Sequence, residues 1–69
     1  MEYMAKIVYT NHCARMSEWF GTREETNHWV YEKLKGIKYN LAHVEIHSRE
    51  FDGETDLIKF KQTEYFYEW

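Results

Sequence analysis

Apolar and polar residues alternate along several segments of the chain, as they do in half-buried β-strands. In residues 3–10 the odd-numbered positions form the more apolar face of a predicted strand, and Lys6 lies on the other face. The apolar positions are Tyr3, Ala5, Ile7 and Tyr9. Asn11-His12 predicts a turn, after which residues 14–20 return as a second strand that Gly21 ends. The residues predicted to point inward from this second strand are Ala14, Met16 and Phe20.

A helix is predicted to begin at Thr22-Arg23-Glu24-Glu25, which has the pattern of a capping box. In that motif the Thr22 hydroxyl accepts from the Glu25 backbone N–H, and the Glu25 carboxylate reaches back to the N–H of Thr22. Gly36 predicts the left-handed end of the helix. The positions at helical spacing that predict its buried stripe are Thr26, Trp29, Val30 and Leu34.

Two further alternating segments predict a hairpin. Residues 41–48 carry Ala42, Val44 and Ile46 on one face, and residues 56–62 carry Ile58 and Phe60 on the same face. Asp52-Gly53 is a hairpin signal, and the parity of the apolar positions favours a three-residue Asp52-Gly53-Glu54 loop. That loop predicts three cross-strand pairs: Ile46 with Phe60, Glu45 with Lys61, and His47 with Lys59.

Together these segments predict one α+β domain over residues 1–69, in the order ββαββ. One face of its antiparallel sheet would pack on the helix and the other would face water. With 69 residues the chain holds a single core, and its aromatic fraction of 19% supplies large side chains to fill it.

The lone Cys13 forms no intramolecular disulfide, so it is interpreted as a small buried hydrophobic residue in a reducing compartment. Met1-Glu2-Tyr3-Met4 lacks the features of a signal peptide, and no apolar run is long enough to span a bilayer. The prediction is a cytoplasmic protein with no membrane partner. The net charge is −3, with the acidic excess in residues 50–69, which argues against a general attraction to nucleic acid.

His43-x-Glu45-x-His47 has zinc-type ligands, but on a strand its two histidines lie about 13 Å apart at ~3.3 Å per residue. That span is too long for one ion, so these residues are interpreted as a polar face paired with Lys59 and Lys61. The chain has no glycine-rich phosphate loop. We therefore expect no enzymatic activity, no catalytic residues, no cofactor and no metal.

The final six residues are rich in aromatic and acidic side chains, and the tyrosine and tryptophan among them are residue types enriched at binding hot spots. They are predicted to be the partner-binding residues: Glu64, Tyr65, Phe66, Tyr67, Glu68 and Trp69. The alternative interpretation is that they continue the last strand and seal the edge of the core.

In its size, in its lack of proline, and in the Phe-Asp-Gly-Glu-Thr hairpin followed by Thr-Glu-Tyr-Phe-Tyr-Glu-Trp, the chain resembles small bacteriophage accessory proteins. The resemblance implies a phage-encoded inhibitor that binds a bacterial host or defence protein in the host cytoplasm. The leading prediction is therefore a non-enzymatic protein-binding module.

Two alternatives stay open. One is a nucleic-acid-binding module that uses the basic wet face of the sheet, with Trp19 as a stacking platform. The cationic side chains of this interpretation are Lys6, Arg15, His43, His47, Arg49, Lys59 and Lys61. The other is a structural homo-oligomer whose C-terminal residues form the subunit interface.

Overall fold

The computed structural model describes residues 1–35 and 40–69 and confirms the ββαββ order. Its elements are β1 (Glu2–Tyr9), β2 (Ala14–Met16), α1 (Arg23–Leu34), β3 (Leu41–Phe51) and β4 (Ile58–Phe66). The four strands form one antiparallel sheet in the order β2-β1-β3-β4. β1 and β3 are therefore the two inner strands of the sheet, and β2 and β4 form its edges.

The core lies between α1 and one face of the sheet. Its fully buried apolar side chains are Ala5, Ile7, Val30, Leu34, Val44 and Ile46. Partly buried aromatic residues, Trp29 among them, pack around this cluster. The inward positions predicted for Ala5 and Ile7 in β1 and for Val44 and Ile46 in β3 are therefore confirmed.

The helix begins as predicted, with one difference in the capping contacts. Thr22 has an extended backbone, and its Oγ1 accepts from the Glu25 N–H at 3.2 Å. The same hydroxyl donates to Glu25 Oε1 at 3.0 Å, so the carboxylate contacts the Thr22 side chain instead of the Thr22 N–H. Thr26, Val30 and Leu34 are buried and Trp29 is partly buried. The predicted stop at Gly36 lies outside the described residues.

The predicted burial of the second strand is wrong. All three residues of β2 are exposed. The register places Ala14 opposite Val8 and Met16 opposite Lys6, so these two side chains lie on the face of the sheet that α1 does not cover. Phe20 is half-buried and exchanges two backbone hydrogen bonds with Tyr3, at 2.8 and 2.7 Å. This segment therefore runs along β1 without contributing to the centre of the core.

Cys13 is exposed, so the prediction of a buried thiol is also wrong. It lies at the end of the tight turn after β1, where His12 has a positive φ of 69°. The Cys13 backbone N–H donates to Asn11 Oδ1 at 3.1 Å, and its carbonyl accepts from the Tyr9 N–H at 2.9 Å. The turn uses the Cys13 backbone and leaves its side chain in solvent.

The register of the hairpin differs from the prediction by four positions, since Ile46 pairs with Glu64 instead of Phe60. The loop is longer than three residues: Asp52 N–H donates to the Leu57 carbonyl at 2.8 Å, and Asp56 has a φ of 57°. Aspartate tolerates this left-handed conformation, which lets the chain turn later than Gly53. An even shift preserves the two faces of the strand, but it leaves Ile58 and Phe60 exposed at the far end.

The hairpin extends beyond the part of the sheet that α1 covers. Buried positions in β3 end at Ser48, and all residues from Ile58 to Gln62 in β4 are exposed. The molecule is accordingly elongated, with extents of 44 × 20 × 16 Å. In the part of the chain that the structure describes, no helix has the length and apolar character needed to cross a membrane.

Candidate functional site

The sheet face opposite α1, here called the helix-free face, brings together polar and aromatic side chains from three strands. The pairing of β1 with β3 and of β3 with β4 places them on one side of the sheet. The principal residues of this face are Lys6, His43, Glu45, His47, Arg49, Lys61, Thr63 and Tyr65. The sequence pattern predicted this polar face, although the partners within it differ from those expected.

At the centre of the helix-free face, the Glu45 carboxylate lies between two histidines. His43 Nε2 is 2.8 Å from Glu45 Oε2, and His47 Nε2 is 2.9 Å from Glu45 Oε1. An ionised carboxylate only accepts hydrogen bonds, so both Nε2 atoms donate. On its other side, His47 Nδ1 lies 3.1 Å from Thr63 Oγ1. These contacts fix the orientation of both imidazole rings.

The environment lowers the pKa of Glu45 below its ordinary value of 4.5. Partial burial is the largest single influence and raises the pKa, but hydrogen bonds from His43 and His47 and the positive charge of Lys6 together outweigh it. The Glu45 side chain retains only 13% exposure. The centre of this face therefore holds a carboxylate that is largely shielded from solvent and stays ionised at neutral pH.

The predicted partners of this polar face, Lys59 and Lys61, are wrong because of the hairpin register. Glu45 lies opposite Lys6 on β1 and Tyr65 on β4, while Lys61 lies opposite Arg49. The two histidines contact different oxygens of one carboxylate and do not converge on a shared point. Within residues 1–35 and 40–69, no group of three or more His, Cys, Asp or Glu side chains is arranged to hold a metal ion.

A second cluster lies further along the helix-free face. The Arg49 guanidinium stacks on the Trp19 ring, 3.7 Å from its centroid, and its Nε donates to Glu2 Oε1 at 2.9 Å. The Phe51 ring lies on the same guanidinium at 4.9 Å. Trp19 and Arg49, which the alternative nucleic-acid interpretation uses as a stacking platform and a cation, therefore contact each other. Sequence reasoning missed this pairing because Trp19 precedes the helix and no periodic pattern connects it to β3.

The six C-terminal residues divide between the core and the surface. Phe66 and Trp69 pack edge to face, 5.5 Å apart, against the core cluster, and Glu64 accepts from Arg23 of α1 at 3.1 Å. Tyr65 and Tyr67 are 56% and 72% exposed, with centroids 5.9 and 5.7 Å from that of His43. Glu68 is exposed. The predicted packing of this segment against the core is therefore confirmed for Phe66 and Trp69, while Tyr65, Tyr67 and Glu68 are exposed.

Exposed apolar side chains concentrate on the hairpin. Of the nine large hydrophobic residues described as exposed, six lie between residues 51 and 67. These six are Phe51, Leu57, Ile58, Phe60, Tyr65 and Tyr67. Single exposed apolar residues are ordinary, but six within residues 51–67 make this segment a candidate for partner contact. Phe60 and Tyr65 lie on opposite faces of β4, so the six side chains do not form one continuous patch. The sequence signal for the tyrosines was their position in the aromatic tail, whereas Leu57 gave no signal.

On the opposite side of the molecule, a groove of about 590 Å³ runs between α1 and the segment before it. Phe20 and Trp29 contribute its aromatic lining, and Lys33 Nζ lies 6.0 Å from the Trp29 ring centroid. Its acidic lining residues are Glu18, Glu24, Glu25 and Glu32. The two sides of the domain therefore differ in charge.

None of the protein-family models, curated proteins or solved structures compared with the chain matches it.

Proposed function

We propose that the chain is a non-enzymatic protein-binding module that contacts its partner through the exposed aromatic and aliphatic side chains of residues 51–67. The observation that supports it best is the concentration of exposed large hydrophobic residues between residues 51 and 67. Tyrosine and other large side chains supply much of the binding energy at protein interfaces when a partner excludes water from them. The resemblance to phage accessory proteins makes a bacterial host or defence protein the proposed partner.

Tyr65 and Tyr67 are the proposed anchors of this surface. Both rings contact His43, whose orientation is set by its hydrogen bond to Glu45. A side chain that is already oriented loses less conformational entropy on binding than a free one. The histidine cluster therefore serves binding by holding the two tyrosines in place, with no chemical step required of it.

The other aromatic residues of the C-terminal segment serve the fold. Phe66 and Trp69 pack on the core cluster, and Phe66 also lies 5.6 Å from the Arg23 guanidinium carbon. Removing residues 65–69 would take away this packing together with the proposed anchors. Point substitution of the exposed tyrosines separates binding from folding, and truncation does not.

The test compares capture of bacterial lysate proteins by three versions of the tagged chain: the wild type, a Tyr65→Ala/Tyr67→Ala variant, and Tyr31→Ala. Tyr31 is 58% exposed on α1, so it controls for the loss of an exposed tyrosine elsewhere. We expect a protein retained by the wild type and by Tyr31→Ala, and lost by the double variant despite an unchanged circular dichroism spectrum. Equal capture by all three versions would contradict the proposal.

A nucleic-acid-binding function is the second candidate, because Lys6, Arg49 and Lys61 share the helix-free face with Tyr65. Phosphate contacts would make affinity fall steeply as salt concentration rises, whereas an apolar contact depends little on salt. Binding of a single-stranded oligonucleotide is therefore measured across ionic strengths, with Lys61→Ala as the variant. Steep salt dependence and weaker binding by Lys61→Ala would favour this candidate, as would capture from lysate that nuclease treatment abolishes.

A further inference from the structure

The outer edge of β4 offers unpaired backbone groups. Of the two edge strands, β2 has three residues and β4 has nine. Tyr3 and Ala5 hydrogen-bond toward the β2 side, so the alternation of an antiparallel ladder directs even-numbered residues of β3 toward β4. These residues hydrogen-bond with even-numbered residues of β4. The backbone N–H and C=O groups of Lys61, Thr63 and Tyr65 therefore point away from β3, toward the outer edge of the sheet. No described strand pairs with this edge.

We propose that this edge pairs with the same edge of a second copy of the chain, antiparallel, about a two-fold axis at Thr63. Two Thr63 residues would then exchange both backbone hydrogen bonds, and Lys61 of each copy would pair with Tyr65 of the other. These are the outward-pointing residues of the strand. On the helix side of the sheet, Phe60 would lie opposite Phe66 of the second copy.

Charge and the extent of the regular strand together favour this register. An axis at Tyr65 would pair Thr63 with Tyr67, which lies beyond the end of β4. An axis at Lys61 would place two lysines directly opposite each other, and an axis at Glu64 would place two carboxylates opposite each other. Like charges in directly opposed positions destabilise cross-strand pairing. An axis at Gln62 would draw in Lys59, which lies in the irregularity where β4 skips a partner between Phe60 and Ile58. The axis at Thr63 uses residues 60–66, which are regularly paired with β3.

Lysine on an edge strand ordinarily prevents association, because it meets another cation or loses its hydration. In the proposed register Lys61 lies opposite the Tyr65 ring, which is half-exposed and attracts a cation to its face. The lysine thus opposes the wrong registers and is accommodated in this one. Natural sheet edges control pairing by this kind of charge placement.

Pairing in this way extends the two four-stranded sheets into one continuous eight-stranded sheet. Because the axis is perpendicular to the sheet, both helix-free faces lie on the same side. The two sets of exposed residues would form one double surface, which a two-fold symmetric partner or two partners could contact. This inference does not depend on the proposed function, since it concerns association of the chain with itself.

The first test is the molar mass of the full chain by sedimentation equilibrium from micromolar to millimolar concentration. We expect the mass to rise toward twice that of the chain. Thr63→Lys should raise the dissociation constant roughly fivefold or more, because two lysines would then face each other across the axis. Met16→Lys, which adds the same charge to the exposed β2 edge, should leave it unchanged. A monomer at every concentration, or equal effects of the two variants, would overturn the proposal.

The register is tested with single cysteines in a Cys13→Ser chain, because the native thiol is exposed. Directly opposed residues of a hydrogen-bonded antiparallel pair lie about 5.5 Å apart at Cα, within reach of a disulfide. Under mild oxidation Thr63→Cys should cross-link into a covalent dimer and Gln62→Cys should not. The reverse result would overturn the proposed register. The Tyr67→Ala variant should still form the dimer, because Tyr67 lies outside residues 60–66, even if the variant captures less of the protein partner.

Discussion

Replacing Glu45 with glutamine should weaken the fold at neutral pH while preserving its shape. The carboxylate accepts two hydrogen bonds, at 2.8 Å from His43 and 2.9 Å from His47. A hydrogen bond to a charged group contributes roughly 1.5–3 kcal/mol and a neutral one roughly 0.5–1.5 kcal/mol. Glutamine keeps one acceptor oxygen and turns an NH2 donor toward the other histidine, whose hydrogen bond survives only if its imidazole changes tautomer, so the substitution should cost about 2 kcal/mol before screening. The side chains are 13–22% exposed, and solvent screening reduces the expected loss to about 1–2 kcal/mol.

This loss should depend on pH. Because the pKa of Glu45 is lowered in the folded state, its stabilising effect is present above the ordinary value of 4.5 and is lost as the pH falls through the folded-state pKa. Glu45→Gln removes the ionisable group, so its difference from the wild type should be largest at neutral pH. The difference should shrink as the pH falls through the lowered folded-state pKa of Glu45.

The measurement is urea unfolding followed by tryptophan fluorescence at neutral pH and at a series of acidic pH values below 4.5, with Glu54→Gln as the control. Glu54 lies exposed in the hairpin loop, where the same loss of charge should change the free energy of unfolding by less than about 0.5 kcal/mol. A destabilisation by Glu45→Gln that stays constant across the whole series of pH values would refute the electrostatic argument. A change no larger than that of Glu54→Gln would refute the importance of the cluster.

Two further predictions concern the capping residue and the exposed thiol. Thr22→Ala removes the cap at the start of α1 and should lower the free energy of unfolding in urea titrations by about 1 kcal/mol. Thr10→Ala, in an exposed turn, should lower it much less. Similar losses for the two variants would contradict the assigned cap. Cys13 should react with an aromatic disulfide reagent as rapidly in the native protein as in the denatured chain, because it is exposed; labelling limited by unfolding would show that the thiol is protected.

The elements of the fold follow from local patterns that the structure preserves. Thr22 and Glu25 mark the helix start through contacts within a few residues, and the alternation around Val44 and Ile46 identifies the buried face of β3. Such signals are independent of where distant segments lie. They therefore predicted the α+β order and most of the core.

The hairpin register could not be obtained in the same way. A shift from Phe60 to Glu64 opposite Ile46 moves the strand by an even number of residues, so every side chain keeps its face. Alternation cannot distinguish the two arrangements, and the choice depends on the loop conformation at Asp56. The stacking of Arg49 on Trp19 could not be predicted for a related reason. The two residues are 30 positions apart, and no repeating pattern of apolar residues connects their segments.

The end of burial at Ser48 in β3 has a consequence for how the sheet opens. Near Val44 and Ile46, breaking a backbone hydrogen bond requires exposing the core, so amide hydrogen exchange there should proceed only through global unfolding. Beyond Arg49 the hairpin has no helix above it and can separate at much lower cost. Insertions at the loop between Asp52 and Leu57 should consequently be tolerated, because added chain there extends into solvent and leaves the helix-covered half intact.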